Sequence, residues 1–114
     1  MAMTADYRNL IADAGGAAVS HIGLVDGGGS EITGGSYARL AVTWTTASNG
    51  TIRPSSDLVF DVPAGATVAG WRGYSAITSG TNYGGEDLAS ETFNNAGTYT
   101  LLAASTGINH VNPA

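Results

Sequence analysis

Hydrophobic and polar residues alternate along most of the chain with the period of two that is typical of β-strands. The clearest stretch covers residues 37–46, where Leu40, Val42 and Trp44 share one face and polar side chains share the other. A half-buried antiparallel strand has this pattern, because one of its faces packs on a core while the other meets water. The pattern therefore predicts a strand over residues 37–46.

Shorter alternating runs predict the other strands, and turn residues separate them. Asn49-Gly50 predicts a tight hairpin turn, because both residue types tolerate a positive φ. The formal glycosylation sequon at 49–51 is therefore interpreted as a turn, and the Gly- and Ser-rich stretch 78–85 as a long loop. The predicted strands are residues 19–25, 37–46, 58–62, 67–76 and 98–103. Together they indicate a mainly β fold, an antiparallel β-sandwich or jelly-roll.

One segment, residues 4–14, has the period of a helix. Thr4 suits the N-cap, and Gly15-Gly16 is predicted to end the helix. Its apolar residues recur at i, i+3, i+4 and i+7. They are Tyr7, Leu10, Ile11 and Ala14. The sequence leaves open whether this helix packs on its own sandwich or on a neighbouring protein.

Length and composition limit the class of protein. The 114 residues fit one domain, and the polar residues 107–114 are predicted to form a flexible C-terminal arm. With 4 Arg, no Lys and a net charge of −5, the chain lacks the basic clusters that bind nucleic acid. It has no Cys and no long apolar run that would span a membrane, and we expect no secretory signal. We expect synthesis in the cytoplasm.

The two histidines are the first candidates for catalysis. His21 and His110 could each act as a general base near neutral pH. We expect instead that His21 lies on the outer face of its strand and His110 in the tail. Ser20 and His21 are expected to point to opposite faces, which would exclude a triad. The sequence therefore offers no catalytic residue, and we expect that the protein is not an enzyme.

The carboxylates and glycines suggest three further sites, and their spacing supports none of them. Asp26 and Glu31 flank a Gly-rich run, but they lack the spacing of a calcium loop and the run lacks the end of a P-loop. Asp57 and Asp61 lie about 13 Å apart along a strand at ~3.3 Å per residue, too far for a glycosidase pair. No cofactor-binding or metal-binding residue is predicted.

The aromatic residues suggest a sugar-binding platform. Core packing is the simpler interpretation of Trp44, and Tyr37 belongs to the same strand. Trp71, Tyr74 and Tyr83 are the candidates for an exposed contact surface.

Arg39 is the most informative charged residue. The two glycines at 34–35 permit a sharp turn, after which Tyr37 and Arg39 share one face of the strand. An arginine can bind a carboxylate through two parallel hydrogen bonds. An intramolecular pair, with Glu31 or Glu91, is favoured over a contact with a neighbouring subunit.

Four segments of the chain resemble small structural proteins of tailed bacteriophages. The moderately specific part is the Gly-Gly-Ser-Tyr-Ala-Arg block at 34–39. The four segments are residues 20–25, 31–44, 60–68 and 91–99. Members of this group are described as tail-fibre-like, minor tail or capsid-decoration proteins, and the resemblance implies no catalytic residues.

The resemblance implies a non-enzymatic component of a phage virion. The expected role is capsid decoration or cementing, on the outer capsid surface rather than the tail. The expected partners are the major capsid protein and further copies of the chain, with a trimer favoured. The alternative is a tail-fibre or minor tail protein that contacts host-surface glycans or other tail proteins. Neither nucleic acid nor a membrane is an expected partner.

Overall fold

A computed structural model describes residues 4–109 of the chain. The described part is mainly β, with antiparallel sheets and one N-terminal α-helix, as the sequence predicts. The elements are α1 (Ala5–Ala18), β1 (His21–Val25), β2 (Leu40–Ala41), β3 (Thr51–Ile52), β4 (Leu58–Val62), β5 (Thr67–Tyr74), β6 (Asn82–Thr92), β7 (Gly97–Leu101) and β8 (Ile108–Asn109), with a short 3₁₀ helix at Ala103–Ser105.

The strands form one four-stranded sheet and two two-stranded ladders. The sheet has the order β2-β1-β5-β6, and the ladders pair β3 with β8 and β4 with β7. Along β4 the predicted alternation holds, with Leu58, Phe60 and Val62 buried and Val59 and Asp61 exposed. The tight turn before β3 is also confirmed: Asn49 and Gly50 both have positive φ, at 50° and 79°.

The core lies between the four-stranded sheet and the β4–β7 ladder. Ile22 and Leu24 of β1 and Trp71 of β5 meet Phe60 of β4 and Leu101 of β7 in one buried cluster. At about 25 cal/mol per Å² of apolar surface removed from water, such large side chains are the main source of the fold's stability. Both layers contribute to one core, which holds the described part of the chain together as a single unit.

Helix α1 is longer than predicted. Thr4 caps it as expected, since its hydroxyl accepts a hydrogen bond from the amide of Tyr7 at 3.2 Å. The helix does not end at Gly15-Gly16 but continues to Ala18. At Gly16 a Cβ would lie 3.0 Å from Ile52 Cδ1 and 3.3 Å from Trp44 Cδ1, so this glycine lets the helix approach the strands closely. Gly16 therefore serves packing here and does not stop the helix.

The prediction of one continuous strand over 37–46 is wrong. Only Leu40–Ala41 forms a strand, because the extended segment changes partners along its length. Val42 N donates to Ser20 O beside β1. Beyond it, Thr45 N donates to Arg53 O at 2.7 Å. The alternation still places Leu40, Val42 and Trp44 against the core, where all are partly buried.

The prediction of a loop over 78–85 is wrong from residue 82 onward. The longest strand, β6, begins there and pairs with β5. Its side chains are exposed on both faces, apart from the half-buried Leu88, so no apolar alternation marks it in the sequence. Its register shifts twice along β5, and such bulges protect an edge strand from further pairing.

The start of the predicted C-terminal arm belongs to the fold. Ile108 and Asn109 pair with Ile52 and Thr51 in the β3–β8 ladder. Residues 110–114, including His110, lie outside the described residues. Within residues 4–109 no helix has the length and hydropathy to cross a membrane.

Candidate functional site

The most organised polar group surrounds the carboxylate of Glu31. Arg39 binds it with two hydrogen bonds, from Nε to Oε2 and from Nη2 to Oε1, each 2.9 Å long. The Tyr37 hydroxyl donates to Oε2 at 2.8 Å and accepts the amide of Leu24 at 2.9 Å. The arginine is therefore paired within its own chain, and Glu31, not Glu91, is its partner.

The remaining contacts of Arg39 also lie inside the chain. Its Nη1 donates to the carbonyls of Ala76, at 3.0 Å, and Ser79, at 2.7 Å. Its guanidinium carbon lies 3.5 Å from the centroid of the Tyr74 ring, a close cation–π contact. The guanidinium thus joins the 31–39 segment to the turn after β5. We call Glu31, Tyr37, Arg39 and Tyr74 the Arg39 cluster.

A glycine of β1 makes room for this cluster. At Gly23 a Cβ would lie 2.7 Å from both Glu31 Oε2 and the Tyr37 hydroxyl oxygen. Burial and the hydrogen bond to Glu31 raise the pKa of the Tyr37 hydroxyl far above its usual range. Burial opposes the charged phenolate, and the hydroxyl donates its proton in a hydrogen bond to Glu31, so Tyr37 stays neutral at physiological pH. The hydrogen bonds and the ion pair of the cluster therefore stabilise the fold.

The other three arginines also bond to their own chain. Arg72 pairs with Asp87 at 3.0 Å, across the β5–β6 ladder. Arg8 Nη1 donates to Asn49 O at 3.3 Å, and Arg53 Nη1 donates to Ala104 O at 3.1 Å. All four cationic side chains therefore hold segments of the fold together.

Ser20 and His21 are closer than predicted. The serine Oγ and the His21 Nδ1 lie 2.8 Å apart. The expectation that they point to opposite faces is wrong because β1 begins at His21, so the strand's alternation does not extend to Ser20. In a catalytic triad the serine bonds Nε2 and a carboxylate holds Nδ1. Here Ser20 takes Nδ1, and no carboxylate among residues 4–109 is hydrogen-bonded to His21.

The carboxylates considered in the sequence are bound by groups of their own chain or are exposed. Asp26 Oδ1 accepts the amides of Gly28, at 2.9 Å, and Ser30, at 3.0 Å, and so closes the Gly-rich turn. Asp57 Oδ1 accepts the amide of Ala103 at 2.8 Å, at the start of the 3₁₀ helix, while Asp61 is exposed on β4. Within residues 4–109 no group of three or more His, Asp or Glu side chains could hold a metal ion.

The proposed aromatic platform does not form. Trp71 and Tyr74 are 1% and 5% exposed, so the expectation that they contribute to a contact surface is wrong. Strand β5 is covered on both faces, which buries both side chains although they point in opposite directions. Of the three candidates, Tyr83 alone is exposed. Trp44 is partly buried, and its Nε1 donates to Val19 O at 2.8 Å.

Apolar side chains are exposed along one side of α1. Tyr7 is 45% and Leu10 64% exposed, and Ala14 and Ala17 beside them are exposed as well. We call these four residues the outward face of α1. The opposite side of the helix, with Ala12 and Gly16, packs on its own chain. The sequence pattern predicts the first three of these positions, but Ala17 lies beyond the predicted end of the helix.

Comparisons with models of protein families, with curated proteins and with solved structures found no match to this chain. The resemblance to phage structural proteins therefore rests on the sequence segments that carry it.

Proposed function

We propose that the chain is a non-enzymatic structural component of a phage virion, which decorates the capsid and stabilises contacts between major capsid subunits. The observation that carries the proposal is a contrast between two kinds of side chain. The cationic side chains bond within the chain, whereas apolar side chains of α1 are exposed. A protein with this division offers contact surface to other proteins and few charges to phosphates. The resemblance of the sequence adds the virion as the setting.

The physical action would be stabilisation by binding. A protein that binds the assembled shell and not its separated subunits stabilises the shell by mass action. The chain has no lysine, so few strongly hydrated ammonium groups oppose burial in a protein contact. Exposed aliphatic residues on other faces, Val59, Ile77 and Leu102, add apolar contact area.

Cryo-electron microscopy of the virus that encodes the chain tests the proposal. We expect density for residues 4–109 on the outer surface of the shell. Density in the tail alone would contradict decoration and favour the tail alternative. Particles that contain no copy of the chain would contradict both. Glycan binding by the tail alternative was expected from three aromatic residues. Two of them are buried, and of the three Tyr83 alone is exposed.

A particle-stability measurement tests the cementing action itself. Particles that lack the chain should release their genome at a lower temperature than wild-type particles, and purified chain added back should restore the wild-type temperature. Equal release temperatures with and without bound chain would contradict a cementing role.

A further inference from the structure

The turn between residues 48 and 51 contains an Asn-Gly pair, a sequence that undergoes a spontaneous reaction in proteins. The backbone nitrogen of the glycine attacks the side-chain carbonyl carbon, Cγ, of the asparagine. The new N–Cγ bond closes a succinimide ring, the Cγ–Nδ2 bond breaks, and the proton of the glycine nitrogen leaves with the amide as ammonia. Water then opens the ring to aspartate or isoaspartate. Glycine favours the attack because it has no side chain that obstructs it.

Asn49 is the asparagine of this chain at which the sequence favours the reaction. Among the asparagines of the sequence, it alone precedes a glycine. It is exposed, so water can reach the ring and open it. Its φ of 50° and the two backbone hydrogen bonds between Ser48 and Thr51, each 3.0 Å long, place it in a tight hairpin turn. Whether it reacts therefore depends on how the structure holds this turn.

Asn9 of helix α1 binds the nitrogen that would attack. The amide of Gly50 donates a hydrogen bond to Asn9 Oδ1 at 2.8 Å, and Gly50 is buried. The nitrogen becomes nucleophilic only when it loses its proton. The hydrogen bond stabilises the protonated form, and burial opposes the charged, deprotonated form. Asn9 therefore slows the first step of the reaction.

The carbonyl end of the same peptide group is also bound by α1. Arg8 Nη1 donates to Asn49 O at 3.3 Å. Nearby, Asp13 Oδ1 accepts the amide of Ala47 at 2.9 Å and holds the helix on the turn. The glycine nitrogen must turn towards Cγ in order to attack, and this rotation of the peptide group would break the hydrogen bonds at both of its ends. The peptide group therefore rotates freely only when α1 separates from the turn.

We propose that Asn49 is a site of spontaneous deamidation, and that the docking of α1 on the turn controls its rate through Asn9. While Asn9 accepts the hydrogen bond of Gly50, Asn49 keeps its amide. When the helix separates from the turn, the succinimide forms. The isoaspartate product runs the main chain through Cβ and so lengthens a tight turn by one atom, which removes the geometry that α1 binds. The inference concerns the chain by itself and does not depend on the virion role.

Mass spectrometry of the full chain, incubated at neutral pH and then digested with trypsin, tests the site. The segment between Arg39 and Arg72 contains no other asparagine, so conversion of an amide to an acid within it reports on Asn49 alone. The conversion should be at least about tenfold faster in guanidinium chloride than in the folded chain, because the peptide group loses two hydrogen bonds. No conversion in guanidinium chloride would overturn the site. Equal rates in the two solutions would overturn its control by the fold.

Substitutions of Asn9 test the protecting hydrogen bond. Asn9→Leu has nearly the same size but no acceptor, so it should raise the rate of conversion in the folded chain by about fivefold. Asn9→Asp keeps an oxygen acceptor and should convert at the wild-type rate. Asn82→Ala is the matched control, because Asn82 Oδ1 accepts the amide of Gly84 at 2.7 Å on β6, and it should also convert as wild type does.

Circular dichroism should show these variants folded. If Asn9→Leu unfolds, Asn9→Ala, which favours helix and also lacks the acceptor, takes its place with the same expected increase. A folded variant without the acceptor that converts at the wild-type rate would overturn the assignment to Asn9. Asn9→Asp that converts as fast as Asn9→Leu would overturn it as well.

Hydrogen exchange tests the effect of the product on α1. The isoaspartate form, purified from aged chain, should exchange the backbone amides of α1 at least about tenfold faster than fresh chain. Asn49→Asp is the control, because it carries the charge of the product but keeps the backbone of the turn, and it should exchange as fresh chain does. An isoaspartate form whose α1 amides exchange no faster than those of Asn49→Asp would overturn the release of the helix.

Discussion

The Arg39 cluster and the outward face of α1 differ in which groups are left without a partner. In the cluster, Glu31 and Tyr37 are bound within the chain, and Arg39 bonds both Glu31 and the Ala76 carbonyl in the turn after β5. On α1, Tyr7 is 45% and Leu10 64% exposed to water. The polar residues of the Arg39 cluster therefore stabilise the fold. The apolar residues on the outward face of α1 are the ones that remain exposed.

The largest expected effect comes from opening the Arg39 cluster. Arg39→Ala would leave the half-buried Glu31 carboxylate without its two guanidinium bonds, so the free energy of unfolding should fall by about 3 kcal/mol. Urea denaturation measures this change. Arg72→Ala is the matched control, because the Asp87 side chain of its pair is 87% exposed, and it should cost less than about 1 kcal/mol. Equal losses in the two variants would contradict the structural role assigned to the cluster.

A second expected effect is a loss of stability at high pH. Burial raises the pKa of Tyr37 in the folded chain above its unfolded value of about 10. The stabilisation is fully present below pH 10 and decreases above it, as the unfolded chain loses the proton first. The slope for one tyrosine reaches at most about 1.4 kcal/mol per pH unit.

Tyr37→Phe isolates this contribution. The variant should show a shallower fall in unfolding free energy between about pH 10 and pH 11.5 than wild type, measured by urea denaturation at each pH. Some slope should persist, because burial also raises the pKa values of Tyr74 and Tyr99. An unchanged slope would show that Tyr37 does not titrate as the buried hydroxyl described above.

The smallest expected effect is on α1 itself. Leu10→Ala in dilute solution should change the unfolding free energy of the monomer by less than about 0.5 kcal/mol, since Leu10 is largely exposed and alanine favours helix. Leu24→Ala removes a fully buried side chain of similar size and should cost about 3 kcal/mol. A large loss from Leu10→Ala would mean that the outward face already stabilises the monomer.

The sequence predicted the paired parts of the molecule better than the exposed ones. Alternation located β4, and charge spacing identified Glu31 among the partners for Arg39. Strand β6 is not predicted from the sequence, because a strand that is exposed on both faces has no alternation of apolar and polar residues.

Helix α1 shows a different limit of pattern analysis. Its stripe at Tyr7, Leu10 and Ala14 was visible, but apolar periodicity does not tell which of two apolar faces the chain covers. The covered face consists of small residues, Ala12 and Gly16, which pack closely on the strands and have little weight in a hydrophobic pattern.

Hydroxyl-radical footprinting of the full chain tests the contrast between the Arg39 cluster and the outward face of α1 most directly. Relative to the intrinsic reactivity of each residue type, the account predicts that Tyr7, Leu10 and Ile77 are modified readily, while the partly buried Tyr37 and the buried Tyr74 are protected. Tyr7 and Leu10 that are as well protected as Tyr74 would contradict the account.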